Sequence, residues 1–372
     1  MLNTSYKHLN VKNSDFFYGP IVKEVYLCTR INQILIKMKK NLRNILALSL
    51  GLMTTVAFAQ DWNADSRTRI DMSEDLGGAD KMITSQRATV GATWGGSNWG
   101  IHVSSDVNYT LGVTGNDISA QIYEAYASTD LMGYASLTAG RQALNYGSGA
   151  LISTNDWAAR RTTWDGMTFG LNLDMADVTI GYHAQNDGTG GDDAGNMWIN
   201  AGGEFSGWNV NVLYMTVEGN DDAATGIDIS GEVAGAGISA SMNTDFDGDE
   251  MRVIGLTYAV NDDMGVHASQ TVYGEDGGFN MNGTNMDGSW MTTGNMGYLN
   301  GGDEMLSYGL TYTMSGINLG ATMHNVTSLD ESERDVTEIS LGYSLNDNAG
   351  LSVSMVDDAD TKYMWLTLNL GL

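Results

Sequence analysis

The sequence predicts an all-β protein, a transmembrane antiparallel β-barrel of about 18 strands, within a range of 16–20. Three observations predict it. Beyond residue 60, nearly every segment alternates polar and apolar side chains with a period of two, the mark of a strand wetted on one face only. The connections between these segments are long and acidic on one side and short on the other. The same region has no proline, no cysteine and no apolar run approaching the ~20 residues of a spanning helix, so a crossing must be made by strands.

The N-terminal part differs from the rest. The only proline (Pro20) and only cysteine (Cys28) precede Met38. Met38 opens a basic stretch with Lys39, Lys40 and Arg43, then an apolar run from Ile45 to Val56, then Ala57-Phe58-Ala59. That order is a secretory signal peptide over 38–59, cut before Gln60. Met38 is read as the true start, and residues 1–37 as upstream sequence translated by mistake, because a polar extension of that length would hinder targeting. The exported part, 60–372, carries ten basic residues against 43 acidic ones, a formal charge of −33. A surface this acidic excludes nucleic acid as a partner, and the lack of cysteine excludes a disulfide scaffold.

The strands follow in order at 64–72, 82–94, 99–112, 118–129, 134–143, 165–174, 178–185, 197–203 and 208–217, and then at 226–232, 237–243, 251–260, 266–273, 305–314, 317–327, 336–345, 351–357 and 362–372. In the last of these, Met364, Leu366, Leu368, Leu370 and Leu372 alternate with Trp365, Thr367, Asn369 and Gly371. Odd-to-even connections tend to be long, as in SEDLGGAD, Leu144–Trp164, NDGTGGDDAGN and Gly274–Glu304, with short exceptions near Gly115 and Ala359; even-to-odd ones are short, as in EFSG, AGAG and SG. This asymmetry belongs to an outer-membrane barrel, with short turns at the periplasm and long loops outside. Closure follows from physics, since in lipid every backbone polar group must be paired and a sheet edge cannot be left open. Trp94, Trp99, Trp164, Trp198, Trp208 and Trp365 fall near strand ends, where an aromatic girdle would lie. The Gly274–Glu304 segment has room for a further hairpin.

The stretch Leu137–Leu173 holds the candidate narrow point. Arg141 lies on its first strand; Asp156, Arg160, Arg161 and Asp165 follow on a connection rich in Gly, Asn and Ser. Arginine on the lipid face near the midplane costs about 2–4 kcal/mol, so Arg141, Arg87 and Arg69 are expected to point into the lumen. If the connection folds inward, Arg160 and Arg161 stand opposite Asp156 and Asp165, and facing charges in a narrow aqueous passage set ion preference. The alternative is that these charges pair merely to pin the loop. The expected constriction is thus Arg87, Arg141, Asp156, Arg160, Arg161 and Asp165.

Gly140-Arg141-Gln142, Tyr146-Gly147-Ser148-Gly149, Asn155-Asp156-Trp157, Arg160-Arg161 and Trp164-Asp165-Gly166, with Glu124-Ala125-Tyr126 before them, resemble the alginate-export and porin-like outer-membrane proteins of Gram-negative bacteria. The match covers about 50 residues, Tyr123 to Leu173. The chain departs from that pattern at Ala150, where a basic residue is usual, and at its C-terminal Leu372, where an aromatic one is usual. The resemblance and the barrel together imply a channel for passive diffusion of small hydrophilic solutes or ions. The alternatives are a substrate-specific oligosaccharide or polysaccharide export or uptake channel, and a non-conducting structural or adhesion barrel. Its expected partners are outer-membrane lipid and lipopolysaccharide, the barrel assembly machinery, the permeating solutes, and further copies of itself in a homotrimer.

No enzyme is expected. His102, His183, His267 and His324 are scattered on different strands, without a nucleophile at motif spacing. No cofactor or metal is called for. The acidic run Asp245–Glu250 lacks the spacing of a calcium-binding EF-hand loop.

Overall fold

The computed structural model describes residues 61–74, 82–112, 118–184, 195–219, 221–281, 284, 299–359 and 361–372. The expected signal peptide (38–59) and upstream extension (1–37) lie outside them. So do 282–283 and 285–298, where a further hairpin would fall; the described parts of 274–303 carry no strand. Every regular element among the described residues is a β-strand. In chain order these are β1 (Asp61–Asp71), β2 (Ile83–Gly95), β3 (Trp99–Thr110), β4 (Ser119–Leu131), β5 (Ala135–Gln142), β6 (Trp164–Leu173), β7 (Ala176–His183), β8 (Asn196–Phe205) and β9 (Trp208–Val217). They continue with β10 (Ala223–Val233), β11 (Ala236–Thr244), β12 (Glu250–Ala259), β13 (Met264–Tyr273), β14 (Glu304–Met314), β15 (Ile317–Thr327), β16 (Glu333–Asn346), β17 (Ala349–Asp358) and β18 (Thr361–Gly371).

Each strand pairs antiparallel with its neighbour in sequence, and β1 pairs with β18 from Asp65↔Gly371 to Asp71↔Trp365, so the 18-stranded sheet closes on itself. The short connections are built as the sequence chemistry requires. Met132-Gly133, Ser206-Gly207, Ala234-Gly235 and Ser315-Gly316 all have positive φ at both positions, the type I′ turn that matches the twist of two antiparallel strands.

Register sorts the side chains onto two faces. The outer face is apolar and exposed: Ile254, Leu256 and Tyr258 on β12, and Leu306, Tyr308 and Leu310 on β14. The inner face is rich in Ser, Thr, Asn and Gly. Above the apolar stripe, outward positions turn polar and pair, along β12 in the first case and across strands in the others. Arg252 meets Glu250, Gln270 donates to Glu304, Asn325 donates to Asp335, and Lys362 lies 3.6 Å from Asp357. About eight residues separate this collar from the short turns. At ~3.3 Å per residue and ~40° tilt, that is an apolar band of roughly 20 Å, close to the height of an outer-membrane band.

The buried core lies inside the barrel rather than between layers. Ala150, Leu151 and Ile152 of the β5–β6 connection pack with Trp164, Trp198, Leu213, Met215, Met251 and Tyr273 of the wall. Phe279, Met281 and Leu299, from the β13–β14 connection, join the same cluster. Two long connections therefore fold inward together.

Candidate constriction inside the barrel

The β5–β6 connection touches two separate arcs of wall, β9–β12 and β18–β3. A segment reaches both only by crossing the lumen.

On the β9–β12 side its tip rests on Asp228. The Ser148 amide donates to the Asp228 carboxylate at 3.0 Å, and the Ser241 hydroxyl donates to it at 2.6 Å. Gly147, with φ +55°, lies so close that a Cβ there would stand 1.9 Å from Asp228 Oδ2. Only glycine allows this approach. Thr284, from the other inward connection, donates to the carbonyl of Ala150 at 3.2 Å.

On the opposite side the chain meets a row of guanidinium groups. Arg67 and Arg87 are cross-strand partners on β1 and β2, and Arg69 lies two residues further along the same face. Arg67 donates to the carbonyls of Asp156 and Ala158, Arg69 to that of Trp157 at 3.1 Å, and Arg87 to that of Asp156 at 3.1 Å. Carbonyl oxygens at an irregular turn need donors, and guanidinium supplies several in fixed geometry. Arg69 also stacks on the Trp157 ring, 3.3 Å from its centroid, and Trp157 meets Trp365 edge-on.

Arg161 completes this anchor. It donates from Nε and Nη2 to the two oxygens of Asp106 at 3.1 and 2.5 Å, and from Nη2 to the Thr89 hydroxyl at 2.9 Å. The Asp106 side chain is 0% exposed and that of Arg161 is 9% exposed. The guanidinium lies 3.4 Å above the ring of Tyr123. Tyr123 faces inward because the β3–β4 register slips at Ser104/Ser105, leaving an extra residue on β4. Burial is the largest single influence on Arg161 and disfavours its charge, yet its bonds to Asp106 and the nearby carboxylates hold its pKa above the ordinary value.

The structure divides the residues expected from the sequence. Arg87 and Arg161 are inside and committed to the anchor. Asp156 is inside with its side chain 70% exposed, 4.0 Å from Arg87 and 3.7 Å from Arg161. Arg160 is exposed on the same segment and donates to Gln121 at 2.7 Å. Arg141 and Asp165 correct the expectation. They are direct cross-strand partners on the outward face, in the parity of Leu137, Ala139, Met167 and Phe169. They form a two-pronged ion pair at 2.7 and 2.5 Å, with side chains 38% and 44% exposed. The midplane cost does not apply, because Arg141 is next to last on β5, within the polar collar, and Asp165 neutralises it. Asp165 therefore does not face Arg160 or Arg161 across the lumen.

Sequence reasoning missed Arg67, Asp106, Tyr123 and Asp228. Arg67 shares the parity of Arg69, which was a usable signal; the others depend on contacts between distant strands. In the Asp245–Glu250 run, the Asp245 carboxylate accepts the backbone N–H groups of Asp247, Asp249 and Asn280 at 3.0, 3.0 and 2.9 Å, so its role is to shape that loop. Two further inner-face rows each run hydroxyl, histidine, glutamate on consecutive strands. Thr93 and Ser307 lie 2.8 and 2.7 Å from Nδ1 of His102 and His324, whose Nε2 atoms are each 3.5 Å from Glu124 and Glu338.

No known family model matches the sequence, and no curated protein sequence matches it. Solved structures do resemble the fold. Pseudomonas aeruginosa OccK8 (OprE) matches at 12% identity and TM-score 0.65, over 85% of this chain and 99% of that one. The outer membrane protein opdK from Pseudomonas aeruginosa matches at 11% identity and TM-score 0.67, over 85% and 99%. Acinetobacter baumannii OccAB2 matches at 13% identity and TM-score 0.66, over 85% and 98%. At such identities the likeness is one of fold: a closed 18-stranded antiparallel barrel.

Proposed function

We propose that this chain is an outer-membrane channel for passive diffusion of small hydrophilic solutes or ions, narrowed by the β5–β6 connection. The observation that carries the reading is the closed barrel, apolar outside and polar inside, with polypeptide anchored across its lumen. Barrels of 16–18 strands are wide enough to leave an aqueous passage. A solved structure of similar fold, opdK, is called an outer membrane protein. In this reading residues 38–59 direct export, the barrel assembly machinery inserts the mature chain, and the polar collar with Arg141–Asp165 lies at headgroup level against lipid and lipopolysaccharide.

Selection at the narrow point falls to Arg160 and Asp156, the charges left exposed, with Arg67, Arg87 and Arg161 as fixed field behind them. Arg141 and Asp165 drop out of this set. The reading is of a channel and not an enzyme. The Ser307–His324–Glu338 row has the order of a nucleophile relay, but Ser307 and His324 are buried, and the ladders of β14–β16 occupy the backbone N–H groups that an oxyanion site would need.

Single-channel recording of the purified protein in a planar bilayer under a salt gradient tests the reading. Steady unitary conductance with a defined reversal potential supports it. Silence from correctly folded barrels favours the structural or adhesion alternative.

A further inference from the structure

The inner wall of β9–β12 differs from the arginine side. Below the Gly147–Ser148 tip lies a cavity of about 600 Å³. That size falls in the range of small-molecule sites. Beside three carboxylates, its polar lining is amide and hydroxyl: Asn209, Asn211, Ser230, Ser239, Ser241 and Ser148. Asn209 and Ser239 are exposed to the space. The side-chain nitrogen of Asn211, which lines the cavity, is buried and has no hydrogen-bond partner among the described residues. A buried amide nitrogen left unpaired is costly, and a ligand that pairs it recovers that cost.

We infer that this cavity is a binding subsite for a neutral polyhydroxylated solute of the carbohydrate class. The inference rests on the channel reading above and names a solute class for it. An amide presents a donor and an acceptor at fixed spacing, which suits adjacent hydroxyls on one sugar ring. Serine hydroxyls do both jobs as they rotate. Among the described residues no Lys, Arg or His lines the cavity, so an anionic solute finds no counter-charge. Three carboxylates lie around it, Asp228, Asp177 and Glu204. Asp228, the one beneath the loop tip, is engaged on both oxygens, by the Ser148 amide and the Ser241 hydroxyl. Glu204 stands directly across from Asn209, and Asp177 pairs with Gly202, the partner of Asn211, so these carboxylates add acceptors for sugar hydroxyls beside the amides.

The test uses the full protein in two formats: ion current in planar bilayers and calorimetric titration in detergent. Sucrose, putrescine and gluconate are the probes. Sucrose is expected to reduce the current in a saturable way and to bind in calorimetry, with putrescine and gluconate weaker. Asn209→Ala with Ser239→Ala, both exposed and outside the loop anchors, should raise the half-effective sucrose concentration roughly tenfold while leaving the unblocked conductance near that of the parent. Block by putrescine but not sucrose overturns the inference in favour of a cation subsite, with the channel reading intact. Equal sucrose effects in parent and variant also overturn it. If no current appears, the channel reading fails, and calorimetry alone decides: sucrose binding lost in the variant supports the subsite, and absence of binding overturns it.

Discussion

The Arg161–Asp106 pair should hold the β5–β6 connection to the wall more strongly than any other single contact on that side. Both side chains are almost fully buried, and two hydrogen bonds join them at 3.1 and 2.5 Å. Breaking a buried pair by removing one partner costs about 3–5 kcal/mol, because the other charge is stranded. Asp106→Asn keeps the volume and removes the charge. Arg161 retains Thr89 at 2.9 Å, Asp156 at 3.7 Å and the face of Tyr123. The Tyr123 contact is worth about 0.5–2 kcal/mol, so the cost of Asp106→Asn should fall near the lower end, about 3 kcal/mol. Arg161→Met should cost a similar amount by stranding Asp106. The assay is urea unfolding in detergent micelles, followed by tryptophan fluorescence and gel mobility, run as a double-mutant cycle. The double variant should be destabilised by about 2 kcal/mol less than the sum of the two singles. Singles that add to within ~0.5 kcal/mol would refute the reasoning, since the two groups would then not be acting on each other.

Further outcomes follow from the same geometry. Arg141→Ala should leave conductance and reversal potential unchanged and cost at most about 1 kcal/mol, as for an exposed ion pair; a shifted reversal potential would return Arg141 to the lumen. Arg160→Glu should move the reversal potential towards cation preference, since this side chain is exposed within the passage; the salt-gradient recording reads it directly. Gly147→Ala should free the loop tip from Asp228, because its Cβ overlaps the carboxylate and its φ is positive. Current noise should rise while the barrel stays folded. Trp157→Ala removes both the Arg69 stacking and the Trp365 edge contact, and should lower unfolding stability by about 2–4 kcal/mol.

Much of the site's failure to appear in the sequence has one cause. The cost of arginine in lipid predicts Arg141 inside, whereas its parity with Leu137 and Ala139 places it outward. The depth of the residue and the partner directly across on β6 remove that cost. Parity along a strand is a local property and holds; the environment at a given height depends on where the strand ends and on what stands beside it. The β-bulge at Tyr123 shows the opposite limit, because one extra residue re-aims a side chain without changing the apparent alternation enough to announce it.

The sequence by itself determined that this chain forms a closed barrel, that its strands number about 18, which faces are apolar and which connections are long. Period-two alternation and turn chemistry act within a few residues, so they can be read from a single sequence. Only the tertiary structure decided that Arg161 meets Asp106 on β3, that Arg67, Arg69 and Arg87 hold the carbonyls of residues 156–158, and that Gly147 rests on Asp228 of β10. Those partners lie 55 to 91 residues apart in the chain. They come together because closure of the barrel brings β1 beside β18 and lets one connection span the lumen between arcs that are far apart around the wall.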